Sequence, residues 1–110
     1  MKKRIENYIP RALESIERFD ISKNGEVPKQ FNGYISSFGA SIRSAGLLAT
    51  ALFYSEQGGA EEERQKVVQA IRYIIDEEIV QNNSVSKETR AKVEDAAVAL
   101  KLSVRTFKLV

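Results

Sequence analysis

Apolar residues recur at three- and four-residue intervals along nearly the whole of this chain, and strand-like alternation is scarce. The first segment places Ile5, Tyr8, Ile9, Ala12, Ile16 and Phe19 on one helical face. Pro10 allows two forms of it. Either the helix starts near Asn7 with Pro10 in its first turn, or a longer helix passes through Pro10 with a kink. Residues 20–29, DISKNGEVPK, read as a loop with Asn24-Gly25 as its turn and Pro28 opening the next helix. Gly33 and Gly39 punctuate a weaker helical stretch before a main central helix over about 38–55, which Gly58-Gly59 ends. A fourth helix spans 61–80, with Glu61, Glu62 and Glu63 in its first turn and Val67, Ala70, Ile71, Ile74 and Ile75 as its apolar face. QNNSVS is a polar connector with Ser86 as N-cap. The last helix runs from Lys87 toward Lys108 and buries Val93, Ala96, Ala97, Leu100, Val104 and Phe107. The expected fold is all-α, a single small bundle of four to five helices over residues 1–110.

The central helix breaks the pattern of one apolar face and one polar face. On a continuous helix Phe38, Ile42, Ala45, Gly46, Ala49, Leu52 and Phe53 share one side, and Ala40, Leu47, Ala51 and Tyr54 share the other, with Arg43 and Thr50 beside them. A helix apolar nearly all round is either the centre of a bundle or has its second face covered by a partner. Arg43 is the only charged residue between Lys29 and Glu56. Its stem could pack over apolar surface while its head reaches solvent or a helix-end carbonyl. Alternatively it stands at an interface, framed by the partner-packing residues Leu47, Thr50 and Tyr54. The second reading is favoured, because an unpaired guanidinium buried in a core is costly.

Composition narrows the chemistry. The chain has neither histidine nor cysteine, which removes the commonest general base, the commonest transition-metal ligand and any thiol nucleophile. No carboxylate spacing suggests a catalytic pair or a metal site, and no phosphate-binding glycine motif is present. No catalytic residue, metal or cofactor is therefore expected. The charged N-terminal stretch has no signal-peptide core and the apolar run at 46–54 is too short to span a membrane, which together suggest a cytoplasmic protein without membrane association. A net charge of +2 decides little, but its distribution is uneven. Residues 56–80 carry seven acidic and three basic groups, whereas residues 81–110 carry six basic and three acidic ones. Such polarity permits head-to-tail self-stacking between copies.

The run FGASIRSAGLLATALFYSEQ resembles the signature of the small subunit of the type III-B CRISPR effector, the Cmr RNA-targeting complex. The residues carrying the likeness are Ile42, Arg43, Ser44, Ala45, Gly46 and Leu47, then Ala51, Leu52, Phe53 and Tyr54. Family members often have Asn where this chain has Ala45. The rest of the chain, including the closing AVALKLSVRTFK, is similar in kind but less specific, and small subunits of type III-A complexes are also short helical proteins. The resemblance implies a non-catalytic subunit in antiviral defence, packing with other Cmr subunits along a backbone filament and helping to hold the guide/target RNA.

Two basic flanks are candidates for that contact. Arg4, Arg11 and Arg18, spaced by seven, line one flank of the first helix. They could meet phosphates or an acidic neighbour, or form an ordinary solvated face with Glu14 and Arg18 as an i,i+4 pair. Lys87, Arg90, Lys101, Arg105 and Lys108 occupy one flank of the last helix, interrupted by Glu94. They suit a surface that tracks a phosphate backbone, and the last three also complement the helix dipole. Neither flank has the interleaved aromatics of a base-stacking platform, so sequence-specific RNA reading is not expected. The rival readings are a stand-alone helical interaction module, docking a protein on the central helix, and a helix-turn-helix regulator, which the acidic fourth helix disfavours.

Overall fold

The computed structural model describes residues 2–55 and 58–110. Helix α1, Lys2–Arg18, passes through Pro10, so the longer form of the first helix is the one adopted. Pro10 is exposed. The bonding defect it makes faces water, while Ala12 and Ile16 are fully buried on the other side. The loop that follows turns where expected. Asn24 and Gly25 both take positive φ, 54° and 77°, as a two-residue hairpin turn requires. Lys23 and Glu26 exchange backbone hydrogen bonds across it, at 2.9 and 3.0 Å.

Pro28 is the N-cap of α2, Lys29–Ala45, which contributes the buried Phe31, Tyr34, Ile35, Phe38 and Ile42. The continuous helix expected over 38–55 is not formed. Gly46, with φ 88° and ψ 161°, breaks the path, and α3, Leu47–Phe53, starts anew behind it. Helix α4, Glu62–Ile75, is shorter than the pattern suggested because Asp76 adopts the left-handed conformation, its N–H closing on the Arg72 carbonyl at 2.9 Å. Ile79 is still buried from the loop beyond, so the apolar periodicity outlasts the helix. Asn82 and Asn83 turn the connector with positive φ, and Ser86 caps α5, Lys87–Val104, accepting from the Thr89 N–H at 3.1 Å.

Helix α5 ends at Val104, short of Lys108. Residues Lys108–Leu109 form strand β2, which pairs in parallel with β1, Glu26–Val27, in the register Glu26 to Lys108 and Val27 to Leu109. Local propensity gave no sign of this pairing, because the partner lies at the far end of the chain. The protein is thus all-α apart from this short ribbon. Helix α5 packs on α1, α2 and α4, and α1 also packs on α4. Their shared core holds Ile16, Phe31, Phe38, Ile42, Ile71, Ile74 and Leu100, all at most 1 % exposed.

Candidate nucleic-acid interface

Arg43 lies in the last turn of α2 and is exposed. Its guanidinium folds back along the helix over Gly39, where a Cβ would sit 3.9 Å from Nη1. Across a groove of about 450 Å³, α5 presents Glu94, Val98 and Lys101 to the Ser36, Gly39 and Arg43 edge of α2. Lys101 donates through Nζ to the Ser36 hydroxyl, tying the two walls together. The acids of the groove are already engaged. Arg90 donates to Glu94 at 3.2 Å, and Arg4 reaches from α1 to Asp95 at 3.3 Å. Arg43 has no ion-pair partner among the described residues. The groove therefore offers Arg43 and the free valences of Lys101 against acids whose charge is locally balanced, over a partly apolar floor of Ile35 and Ile42.

The other predicted residues are dispersed. The row Arg4, Arg11 and Arg18 does not act as one: Arg4 meets the acidic Asp95, Arg11 is engaged within the fold and Arg18 is exposed. Arg11 donates through Nε and Nη2 to the Tyr73 carbonyl, at 3.0 and 2.6 Å, and stacks 4.3 Å from the Tyr73 ring centroid. It satisfies a carbonyl near the end of α4 and belongs to the α1–α4 contact. Arg18 lies 5.2 Å from the same ring and is exposed. Hydrogen bonding to Glu14 raises the Tyr73 hydroxyl above its ordinary pKa, so this ring keeps its proton and its polar tip is occupied. Arg105 is exposed at the C-cap of α5. Lys108 lies on β2 rather than on the helix, 3.9 Å from Glu26 across the ribbon, where both groups are too exposed for the pair to weigh much.

Leu47, Thr50 and Tyr54 were expected on a partner-facing surface, and the structure turns them inward. They are 4 %, 0 % and 7 % exposed. Thr50 donates to the Gly46 carbonyl at 2.8 Å and pairs with the Ser41 hydroxyl at 2.7 Å. Tyr54 donates to the Tyr34 carbonyl and packs edge-on against Phe38, and burial raises its pKa. The cause is the Gly46 break. It rotates α3 so that Leu48, Leu52 and Phe53 face outward instead, at 38 %, 49 % and 65 % exposure. Sequence reasoning also missed Asp95 as the partner of Arg4, since residues so far apart carry no spacing signal. The Arg90–Glu94 pair, at i,i+4, was open to it.

No described helix is long and apolar enough to cross a membrane. Five packed helices, with Arg43 and Lys101 facing each other across an α2/α5 groove that also holds Glu94 and Asp95, define the class, a small all-α protein with a charged interhelical cleft. Comparison with protein families gives the rest. The model of the CRISPR-associated protein (Cas_Cmr5) family matches residues 4–105, from the first turns of α1 to the C-cap of α5. The chain belongs to that family, the small subunits of the type III-B Cmr complex. No curated protein and no solved structure matches it.

Proposed function

We propose that the chain is a non-catalytic subunit of an RNA-guided Cmr effector in the cytoplasm, packing along the backbone filament and helping to hold guide/target RNA in antiviral defence. The observation that carries this reading is the α2/α5 groove, where Arg43 and Lys101 stand on opposite walls while Arg4 and Arg90 occupy the neighbouring acids. Phosphates bind such a site through charge-assisted hydrogen bonds without reading bases. Arg105, at the C-cap of α5, and Lys108, on β2, are further exposed cations outside this groove. Family membership supports association with other Cmr subunits, and the lack of histidine and cysteine agrees with a binding role. Head-to-tail stacking of copies, acidic middle against basic end, belongs to the same reading.

Reconstitution with the remaining Cmr subunits and guide RNA tests it. The chain should co-purify and raise target-RNA affinity. Replacing Arg43 by Ala should weaken that affinity and reduce the slope of log K against log salt by roughly one phosphate contact, about 0.7–0.9. Failure to co-purify, or an affinity and a salt slope unchanged by Arg43→Ala, refutes it.

A further inference from the structure

One residue joins α2 to α3, and it is held in a conformation that only glycine adopts readily. Gly46 has φ 88° and ψ 161°. A Cβ there would meet no atom within 4 Å, so the backbone angle alone keeps the position glycine. The break has a hydrogen-bonding cost. No side chain caps the start of α3, although in one continuous helix the N–H groups of Leu47, Leu48 and Ala49 would meet the carbonyls of Arg43, Ser44 and Ala45. Across the break, α3 is held back against α2 by the Ser41–Thr50 pair and by Tyr54 on Tyr34 and Phe38.

The apolar residues left outside have a regular spacing. Ala45, Leu48, Leu52 and Phe53 are exposed and Ala49 is half-buried. Their positions are i, i+3, i+4, i+7 and i+8, which is one unbroken stripe on a straight helix. On the bent chain the stripe is cut between Ala45 and Leu48. The inward residues Leu47, Thr50, Ala51 and Tyr54 form a second stripe with the same period. A straight helix through Gly46 would therefore be apolar on two faces, and needs two surfaces to cover them.

We propose that Gly46 is a hinge for exchange between two copies of the chain. In the exchanged dimer α2 and α3 are one helix, and everything beyond Gly46 packs on α1 and α2 of the other copy. The inward stripe then finds the same Tyr34, Phe38 and Ser41 surface, now on the second chain. The outward stripes of the two straight helices meet each other near the hinge. Every contact of the monomer is remade, the glycine-only turn is released, and the exposed Phe53 is covered, so the balance is set by chain concentration. A hinge of one residue leaves no slack between the two helices, and short hinges favour such exchange. This dimer differs from electrostatic head-to-tail stacking, since it should persist in 1 M salt.

The chain contains no cysteine, so Ser41→Cys with Thr50→Cys reports which chain supplies α3. Mild oxidation should crosslink the monomer within one chain. Adding Gly46→Ala, which favours the straight helix, should move the protein to a salt-resistant dimer, with the disulfide joining two chains on a non-reducing gel. A Gly46→Ala protein that stays monomeric, or whose dimer keeps its disulfides within each chain, overturns the proposal. If that variant does not fold, the double-cysteine protein with Gly46 intact is refolded at micromolar and at near-millimolar concentration, with Ser41→Cys alone as control. The two-chain product above control should then rise at least tenfold, and a wholly intrachain product at both concentrations overturns the proposal equally.

Discussion

Replacing Arg11 by Ala should destabilise the folded chain, although arginines spaced by seven on a charged helix would ordinarily be assigned to solvent or to a ligand. Arg11 makes two hydrogen bonds to the Tyr73 carbonyl and covers the Tyr73 ring. A hydrogen bond with a charged partner contributes about 1.5–3 kcal/mol. Because both donors meet a single acceptor, the two count as little more than one. Stacking on the ring adds about 0.5–1 kcal/mol at a partly exposed site. The expected loss is therefore about 2–4 kcal/mol, and at roughly 4 °C per kcal/mol for a chain of this size the melting temperature should fall by about 8–16 °C. Thermal unfolding followed by far-UV circular dichroism measures it. Arg11→Lys should recover only part of the loss, since an ammonium cannot place two donors in one plane on that carbonyl or stack as flatly. The control is Arg43→Ala, an exposed residue with no ion-pair partner among the described residues, which should shift stability by no more than about 0.5 kcal/mol. Equal melting temperatures for Arg11→Ala and wild type would refute the assignment of Arg11 to the α1–α4 contact and return it to the pool of free surface cations.

Three other outcomes follow from named contacts. Glu77 is held below the usual carboxylate range first by the Lys92 ammonium and then by the Thr89 hydroxyl. It therefore adds stability above its unfolded pKa, lost as pH falls through the lower folded value. Glu77→Gln should melt below wild type at pH 7, with the gap closing in acid, and urea titrations across pH 2–7 would show a constant gap if the reasoning is wrong. A Cβ at Gly58 would clash with the Leu52 carbonyl oxygen, so Gly58→Ala should cost about 1–3 kcal/mol in chemical denaturation, and a neutral result would mean that Gly58 does not lie against α3. Phe38→Ala removes a fully buried ring that also packs on Tyr54. It should lose about 3–5 kcal/mol by the same measurement, and a loss below 1 kcal/mol would place Phe38 outside the core.

Much of the helical content was legible in the sequence because each helix presents one apolar face. The buried residues of α4, Val67, Ala70, Ile71, Ile74 and Ile75, are those its periodicity selects. Caps and turns with local chemistry were legible too, as at Ser86 and Asn24-Gly25. The central helix was misread because its pattern continues across Gly46, and a glycine in an apolar run does not announce whether it bends the chain. That single break exchanged the inner and outer faces of residues 47–54, so the candidate site lost Leu47, Thr50 and Tyr54 while Leu48, Leu52 and Phe53 came to the surface. The Arg43 and Lys101 juxtaposition was not legible either. It depends on α2 and α5 lying side by side, and the helical wheels of separate segments carry no information about their neighbours. Charge was the least informative signal, since Arg4 and Arg11 look alike on the wheel yet serve contacts to two different helices.

The parallel ribbon has a consequence for how the chain is made. Val110 accepts from the Lys29 N–H and donates to the Val27 carbonyl, each at 3.0 Å, so the first turn of α2 is closed by residues at the other end of the sequence. At synthesis rates of about 5–20 residues per second, a nascent chain carries the start of α2 for roughly 4–16 seconds before its closing strand has been polymerised. Helix α1 and the hairpin turn at Asn24-Gly25 can form during that interval, but the junction between them and α2 must wait. The fold therefore cannot close at this point until Lys108, Leu109 and Val110 have been polymerised, and a chain stalled before them would hold its helices with the second one still open at its head.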